Sequence, residues 1–432
     1  PMVKDYQFEN SSIEHIIWMD DAGMSSDGVF GKNQSWVLGE YESLLEEASD
    51  EFEFEDFDEN TIAVTFYTSG TTGNPKGVFF SHRQLVLHTL AETAILGVQP
   101  QKQGLVLGDV YMPMTPMFHV MAWGLPYTAT MLGLKQVYPG RYAPDMLVKL
   151  IKEEKVSITH CVPTILQMLL KQAEAEGYKF EGLKMVIGGS RLTEGLAKEA
   201  LSAGIEVYTG YGMSETAPLI ALTEFRADDP EMTLEEEAKR RSFTGKPIFM
   251  VDAQIWEGDN KSLPHDGKQT GELVLRAPWL TQSYFKNADA GNELWEGGYM
   301  HTQDIANMDE TGVTKITDRL KDVIKSGGEW ISSLEIETIL SLHPSVADVA
   351  VIGVRDEKWG ERPLAAIILK PQCQNTTVDE IKAMAEQAAE KGMIPKYGVP
   401  EYFKFVDELP KTSVGKHDKK LIREMFVGQT EV

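Results

Sequence analysis

The stretch TSGTTGNPKG (68–77) gathers Thr68, Ser69, Thr71 and Thr72 around Gly70, Gly73 and Gly77, with one cation, Lys76. It follows TIAVTFY (61–67), a β-branched and aromatic run of strand length. A strand running into glycine-rich backbone can aim several N–H groups at one spot, and a lysine beside them adds charge. The chemistry such a loop offers is anion binding, with phosphate the first suspect. It is not a P-loop: counted from Gly70, the second glycine of that signature is Pro75, and Gly77 rather than Ser or Thr follows Lys76. On its own the loop is also compatible with a plain Gly/Thr turn.

Three further groups carry chemistry. In GYGMSET (210–216), Glu215 stands where a dinucleotide fingerprint needs its third glycine, so that fold is not supported. Tyr211 between Gly210 and Gly212 could stack on a base, and Glu215 is a hard oxygen ligand suited to Mg2+; a strand end with Ser214 as a helix cap is the alternative. In HTQDIANMDETGVTKITDRLKDVIKSGGEW (301–330), Asp304 suits a ribose diol, while Arg319 and Lys325 suit ribose or phosphate. In LPKTSVGKHDKK (409–420), Lys416 follows a Ser-Val-Gly stretch. Taken singly, these last two are ordinary turns and solvated basic residues. Neither the G-x-S-x-G nor the H-E-x-x-H pattern is present, which disfavours hydrolase and zinc-protease chemistry.

Positioning these residues requires a layered scaffold. QLVLHTLAETAILGV (84–98) has helical apolar spacing. From there to about 220, short apolar strands (GDVYMPM, KQVYPG, SITHCVP, LKMVIGG, IEVYTGYG) alternate with helical stretches, the pattern of a mostly parallel sheet covered by helices. VDAQIWEG, GELVLRAP and GVTKITD read as antiparallel strands of a small β subdomain at about 241–317. A further α+β unit follows from 321 to 432. The fold class expected is therefore α/β: a layered helix–sheet large domain over 1–320 with a small β subdomain, plus a separate α+β C-terminal domain.

The chain has 432 residues, 42% hydrophobic and 25% charged, enough for more than one core. Its net charge of −25 argues against a general affinity for nucleic acid or acidic lipid. The run EYESLLEEASDEFEFEDFDEN (40–60) reads as a solvated acidic face. Only Cys161 and Cys373 occur, which supports neither a disulfide framework nor a Cys-rich metal site and fits a reducing, cytosolic compartment. No apolar run is long enough to span a bilayer, and no signal peptide is visible.

In order along the chain, TSGTTGNPKG, PMFH (116–119), GGSRLT (188–193), GYGMSET, HTQD, DRLKDVIKSGGEWIS and PKTSVGK resemble the motifs of the adenylate-forming superfamily. The resemblance runs from about residue 60 to 425. DRLKDVIKSGGEWISS, with AWGLPY after the Phe–His pair, looks most like the medium- and long-chain fatty acyl-CoA synthetases. The resemblance implies an ATP-, Mg2+- and CoA-dependent ligase that makes acyl-AMP, then acyl-CoA. Its siblings activate aryl or short acids or load a carrier protein. With only 67 residues before Thr68, it also implies that part of the usual N-terminal subdomain is absent. A nucleotide-binding fragment without turnover is accordingly another reading.

The same resemblance assigns roles. The 68–77 loop (Thr68, Ser69, Gly70, Thr71, Thr72, Gly73, Lys76) would cradle the β- and γ-phosphates, and Thr68 with Glu215 would hold Mg2+. Gly189, Ser190, Gly210, Tyr211, Gly212, Met213 and Ser214 would flank AMP, with Asp304 on the ribose and Arg319 and Lys325 at the domain junction. Lys416 would bridge the acid carboxylate and the α-phosphate. His119 would be a pocket or gate residue, and Trp123 would close the acyl tunnel, plain core packing being its alternative. Lys321 would be the hinge about which the C-terminal domain turns, bringing Gly327, Gly328 and Trp330 to the CoA tunnel. The partners are a carboxylic acid, ATP and CoA. The sequence leaves oligomeric state open, a homodimer included.

Overall fold

The computed structural model describes residues 12–19, 30, 35–68, 75–100, 104–258, 260–327, 329–411 and 417–426. It divides into two compact units, Pro1–Asp58 and Glu59–Val432. In the first, strands Ile16–Trp18 and Val37–Glu40 pair in parallel and the helix Tyr41–Glu47 follows, with Trp18 edge-on to Phe30. The acidic run beyond that helix is solvated, as its charge requires: Phe52, Phe54 and Phe57 stand exposed among carboxylates.

The second unit is built on a seven-stranded sheet. Its spatial order is Lys246–Pro247, Leu219–Leu222, Ile205–Gly212, Leu183–Ile187, Ile158–Cys161, Val110–Pro113, Lys135–Gln136. The five strands from Ile205–Gly212 to Lys135–Gln136 pair in parallel and the two at the other edge are antiparallel. Strand alternation sorts the side chains: Tyr111, Val186 and Tyr208 enter one core, Met112, Met185 and Val207 the other. The second core receives the helices Pro144–Glu154, Pro163–Ala175 and Glu194–Ser202; the first receives the helix His82–Gly97. That helix starts at a capping box in which Ser81 and Gln84 satisfy each other's backbone N–H. Lys184 bridges both Asp109 oxygens (2.6 and 2.7 Å) beneath the sheet, fully enclosed, with Gly104 O as a third acceptor.

Five antiparallel strands, from Asp252–Glu257 to Thr314–Arg319, form a second sheet. The strand Lys246–Pro247, within the span expected for the β subdomain, pairs with Leu222 and Ala221 of the central sheet. The C-terminal sheet has cores on both faces: Val349, Val351, Ala365 and Ile367 pack on one side, Ala350, Ile352, Leu364 and Ala366 on the other. The helices Ser333–Ser341 and Val378–Glu390 cover the first face and Lys419–Met425 the second. This is the layered α/β architecture with an antiparallel β part and an α+β C-terminal part. No helix among the described residues is long and apolar enough to cross a membrane.

Candidate active site

The strands Ile62–Tyr67 and Gly77–Ser81 form an antiparallel hairpin whose open end carries the phosphate-type loop. Thr68 N donates to Lys76 O at 2.9 Å and Lys76 N to Thr68 Oγ1 at 3.2 Å, so the two ends are locked back to back. Ser69, Gly70, Thr71, Thr72 and Gly73 lie outside the described residues. The segment 279–285 straps this hairpin to the Glu215 turn. Phe285 N donates to Gly77 O (2.8 Å), Thr281 Oγ1 to Phe79 O (3.1 Å), Thr281 N to Glu215 O (3.0 Å) and Trp279 Nε1 to Thr216 O (3.0 Å).

Tyr284 is the working residue of the strap. Its hydroxyl donates to Glu215 Oε1 at 2.8 Å, and Lys76 Nζ sits 4.7 Å above its ring. Glu215 is buried, and burial raises its carboxyl above the ordinary range; the Tyr284 bond and then the Lys76 and Arg319 charges oppose that rise. Burial, with the Glu215 carboxylate beside it, keeps the Tyr284 phenol un-ionised. Among the described residues no group of three or more His, Cys, Asp or Glu gathers for a metal. The donors present, one buried carboxylate and a threonine hydroxyl, fit Mg2+ that takes its other oxygens from phosphate and water.

Across the cleft, Asp304 and Arg319 face each other in register on neighbouring strands and pair at 3.4 Å (Nε to Oδ1). Tyr211 donates its hydroxyl to Asp304 Oδ2 at 2.5 Å, which burial and the Asp304 charge reinforce by raising the phenol's pKa. Tyr211 is held between glycines for a steric reason: a Cβ on Gly212 would lie 1.9 Å from Pro218 O. At Gly188 a Cβ would press on Gly210 O at 3.0 Å and on the Trp123 ring at 3.2 Å.

A third wall follows His119. Val120, Met121, Ala122 and Trp123 have φ of 49, 54, 46 and 62°, a left-handed turn of four L-residues in succession. Each costs roughly 1–2 kcal/mol relative to the right-handed form, and strain of this kind gathers at functional sites. The turn leaves Trp123 edge-on to His160, ring centroids 5.0 Å apart.

One cleft of about 1440 Å3 is lined by Thr68, Lys76, His119, Trp123, Gly189, Ser190, Gly210, Tyr211, Gly212, Met213, Ser214, Glu215, Asp304, Arg319 and Lys321. It also borders the C-terminal part, where Arg423 Nη2 reaches Lys321 O (3.2 Å) and Asp322 Oδ1 (2.8 Å). Lys325, Gly327 and Trp330 are not among its lining residues. They lie on the hairpin Ile324–Ser326 to Glu329–Ile331, where Lys325 N donates to Glu361 Oε2 and Gly327 N to Trp359 O. Gly328 and Lys416 lie outside the described residues. Lys411 and His417, which flank 412–416, form an isolated bridge and both pair with Asp348 at 3.1 Å.

Comparison with known proteins matches this organisation. The AMP-binding enzyme family model covers residues 5–285 and that of the AMP-binding enzyme C-terminal domain covers 335–416. The chain is 37% identical to a long-chain-fatty-acid–CoA ligase of Thermus thermophilus over 429 residues, spanning 99% of this chain and 75% of that one. It is 41% identical to a 3-methylmercaptopropionyl-CoA ligase of Ruegeria lacuscaerulensis, spanning 99% and 76%. Its fold matches o-succinylbenzoate CoA synthetase of Bacillus subtilis, solved with an acyl-adenylate intermediate, at a TM-score of 0.74 and 26% identity, covering 94% of this chain and 78% of that one. The chain belongs to the AMP-binding enzyme family, the adenylate-forming acid–thiol ligases that work with ATP, Mg2+ and CoA.

Proposed function

We propose that the chain activates a medium- or long-chain fatty acid, first as acyl-AMP and then as acyl-CoA. The observation that carries this reading is the composition of the cleft described above. Lys76, the buried Glu215 carboxylate and Asp304 line it, and so do the apolar side chains of Leu96, Val120, Trp123, Leu125 and Leu219. An apolar chamber favours an alkyl chain, since each methylene taken from water contributes about 0.8 kcal/mol.

In the first half-reaction a carboxylate oxygen bonds to the α-phosphorus of ATP, the bond to the bridging oxygen breaks, and pyrophosphate leaves. Such a step depends on positioning and charge neutralisation. Thr68 to Gly73 and Lys76 bind the β- and γ-phosphates; Thr68 and Glu215 would hold Mg2+, which would supply neutralisation of the phosphate charge. Gly189, Ser190 and Gly210 to Ser214 surround the adenine, Asp304 takes the ribose hydroxyls, and Arg319 and Lys325 serve the domain junction. Lys416 supplies a point cation to the charge developing between acid and α-phosphate. His119 and Trp123 border the acid. In the second half-reaction the CoA sulfur bonds to the acyl carbon and AMP leaves. Rotation about Lys321 precedes this step, replacing Lys416 with Gly327, Gly328 and Trp330 along the pantetheine path.

The test is acid-dependent pyrophosphate exchange and CoA-thioester formation across a ladder of straight-chain acids, with 3-methylmercaptopropionate and aryl acids alongside. Lys416→Ala should abolish exchange and largely spare thioester formation from supplied acyl-AMP. Equal loss of both steps sinks the division of roles. Turnover of the short thioether acid alone would favour the activity named for the 41% identical relative.

A further inference from the structure

Among the residues that line the cleft is a buried carboxyl that the adenylation chemistry does not use. Glu92, on the helix His82–Gly97, is wholly buried and lines the cleft with Leu96, Val120, Trp123 and Leu125. Its Oε2 accepts from Thr128 Oγ1 at 2.7 Å; Oε1 has no hydrogen-bond partner among the described residues, and none of their ion pairs includes it. With no cation beside it, burial raises its pKa to about 8, so the carboxyl is mostly protonated at neutral pH. Thr128 already occupies Oε2 as a donor, which leaves the acid proton for Oε1 to offer. A buried O–H with no acceptor is unfavourable. The cost disappears when Oε1 meets an acceptor, and a small turn of the Glu92 side chain toward the cleft it lines would bring the two together.

We infer that Glu92 is a specificity-determining residue. It donates a hydrogen bond to an oxygen carried on the substrate's carbon chain, so a hydroxy- or keto-substituted chain acid is preferred to the plain acid of equal length. This rests on the reading of the cleft's apolar lining as the acyl chamber. The preference follows from an asymmetry: an alkyl chain leaves the buried donor unsatisfied, whereas an oxygen at the right carbon completes it.

The experiment measures kcat/KM for thioester formation with straight-chain acids, each paired with counterparts whose hydroxyl or keto oxygen is walked along the chain. Wild type, Glu92→Gln and Glu92→Leu are compared, each checked by thermal unfolding. Wild type should prefer the oxygen-bearing member about tenfold at one chain position. Glu92→Gln keeps an N–H donor and should keep most of the preference, while Glu92→Leu should lose or reverse it. A wild type that prefers the plain acid at every length and position overturns the inference and leaves the fatty-acid reading intact. So does a Glu92→Leu enzyme that retains the preference. If no chain acid of either kind turns over while aryl or thioether acids do, the acyl-chamber reading falls and this inference with it. Should Glu92→Leu fail to fold, the wild-type comparison and Glu92→Gln still decide.

Discussion

At the scale of the residue, Tyr284 controls the state of Glu215. Its phenol supplies the carboxylate's hydrogen bond at 2.8 Å, and its ring lies beneath the Lys76 ammonium. Tyr284→Phe separates the two roles, because phenylalanine keeps the ring and loses the donor. A hydrogen bond to a charged acceptor contributes about 1.5–3 kcal/mol. Without it the Glu215 carboxyl, already raised by burial, rises further and must lose its proton at higher pH to serve as a metal ligand. The expected outcome is that the acid limb of the pyrophosphate-exchange profile moves up by about one pH unit or more, with the alkaline plateau less affected. Measuring exchange against pH for both proteins checks it; a uniform loss at all pH values would assign Tyr284 a packing role.

At the scale of the element, the left-handed turn after His119 holds Trp123 in the cleft at a conformational cost. Ala122 has φ 46° and no side chain beyond Cβ, so Ala122→Gly removes the steric penalty and little else. Relief of about 1–2 kcal/mol is partly offset by glycine's extra freedom when unfolded, roughly 0.5–1 kcal/mol, leaving a net gain near 1 kcal/mol or less. The variant should melt slightly higher while its KM for the acid rises, because Trp123 is less firmly oriented; thermal unfolding and acid titration read the two effects. The turn also shows where reading the sequence stops. The alternation of strands and helices, the strand ahead of the Gly/Thr loop, and Asp304 and Arg319 as separate candidates were legible, because each depends on residues close in sequence or on a short periodic pattern. The 62–81 hairpin and the pairing of Asp304 with Arg319 emerge only from the structure. Tyr284 was not legible either, since its partner is 69 residues away and SYFKN carries no signature of its own. Glu92 was hidden for a different reason. A glutamate in a helical run reads as a solvated face, and only the packing of Thr128 over it, 36 residues on, shows it is enclosed.

At the scale of the whole molecule, the interior carries groups that titrate against folding from both directions. Burial lowers His88 to about 4 and His160 to about 3 from an ordinary 6.5, so both are neutral when folded. Below about 6.5 the unfolded chain takes up protons that the folded one refuses, and stability declines as pH falls toward 4 and then 3. Glu92 acts oppositely: raised from 4.5 to about 8, it keeps a proton that the unfolded chain has released, and stability declines as pH rises across that interval. Denaturant midpoints measured from pH 4 to 9 should reveal both slopes. Glu92→Gln should flatten only the alkaline one, its advantage over wild type growing up to about pH 8.

The strap that joins the Ile62–Ser81 hairpin to the Glu215 turn also dictates an order of assembly. Thr281 and Phe79 are 202 residues apart, and Gln84 and Leu280, which add a second tie at 2.7 Å, are 196 apart. The parallel sheet between them pairs strands over much shorter separations, as in the pairing of Thr159 with Met185. Loop closure over long separations is slow. The sheet can therefore be complete while Gly77, Phe79 and Glu215 still lack their partners. During synthesis, the carboxylate proposed to hold Mg2+ gains its tyrosine only after residue 284 has emerged, so this wall of the cleft is finished after the scaffold that surrounds it.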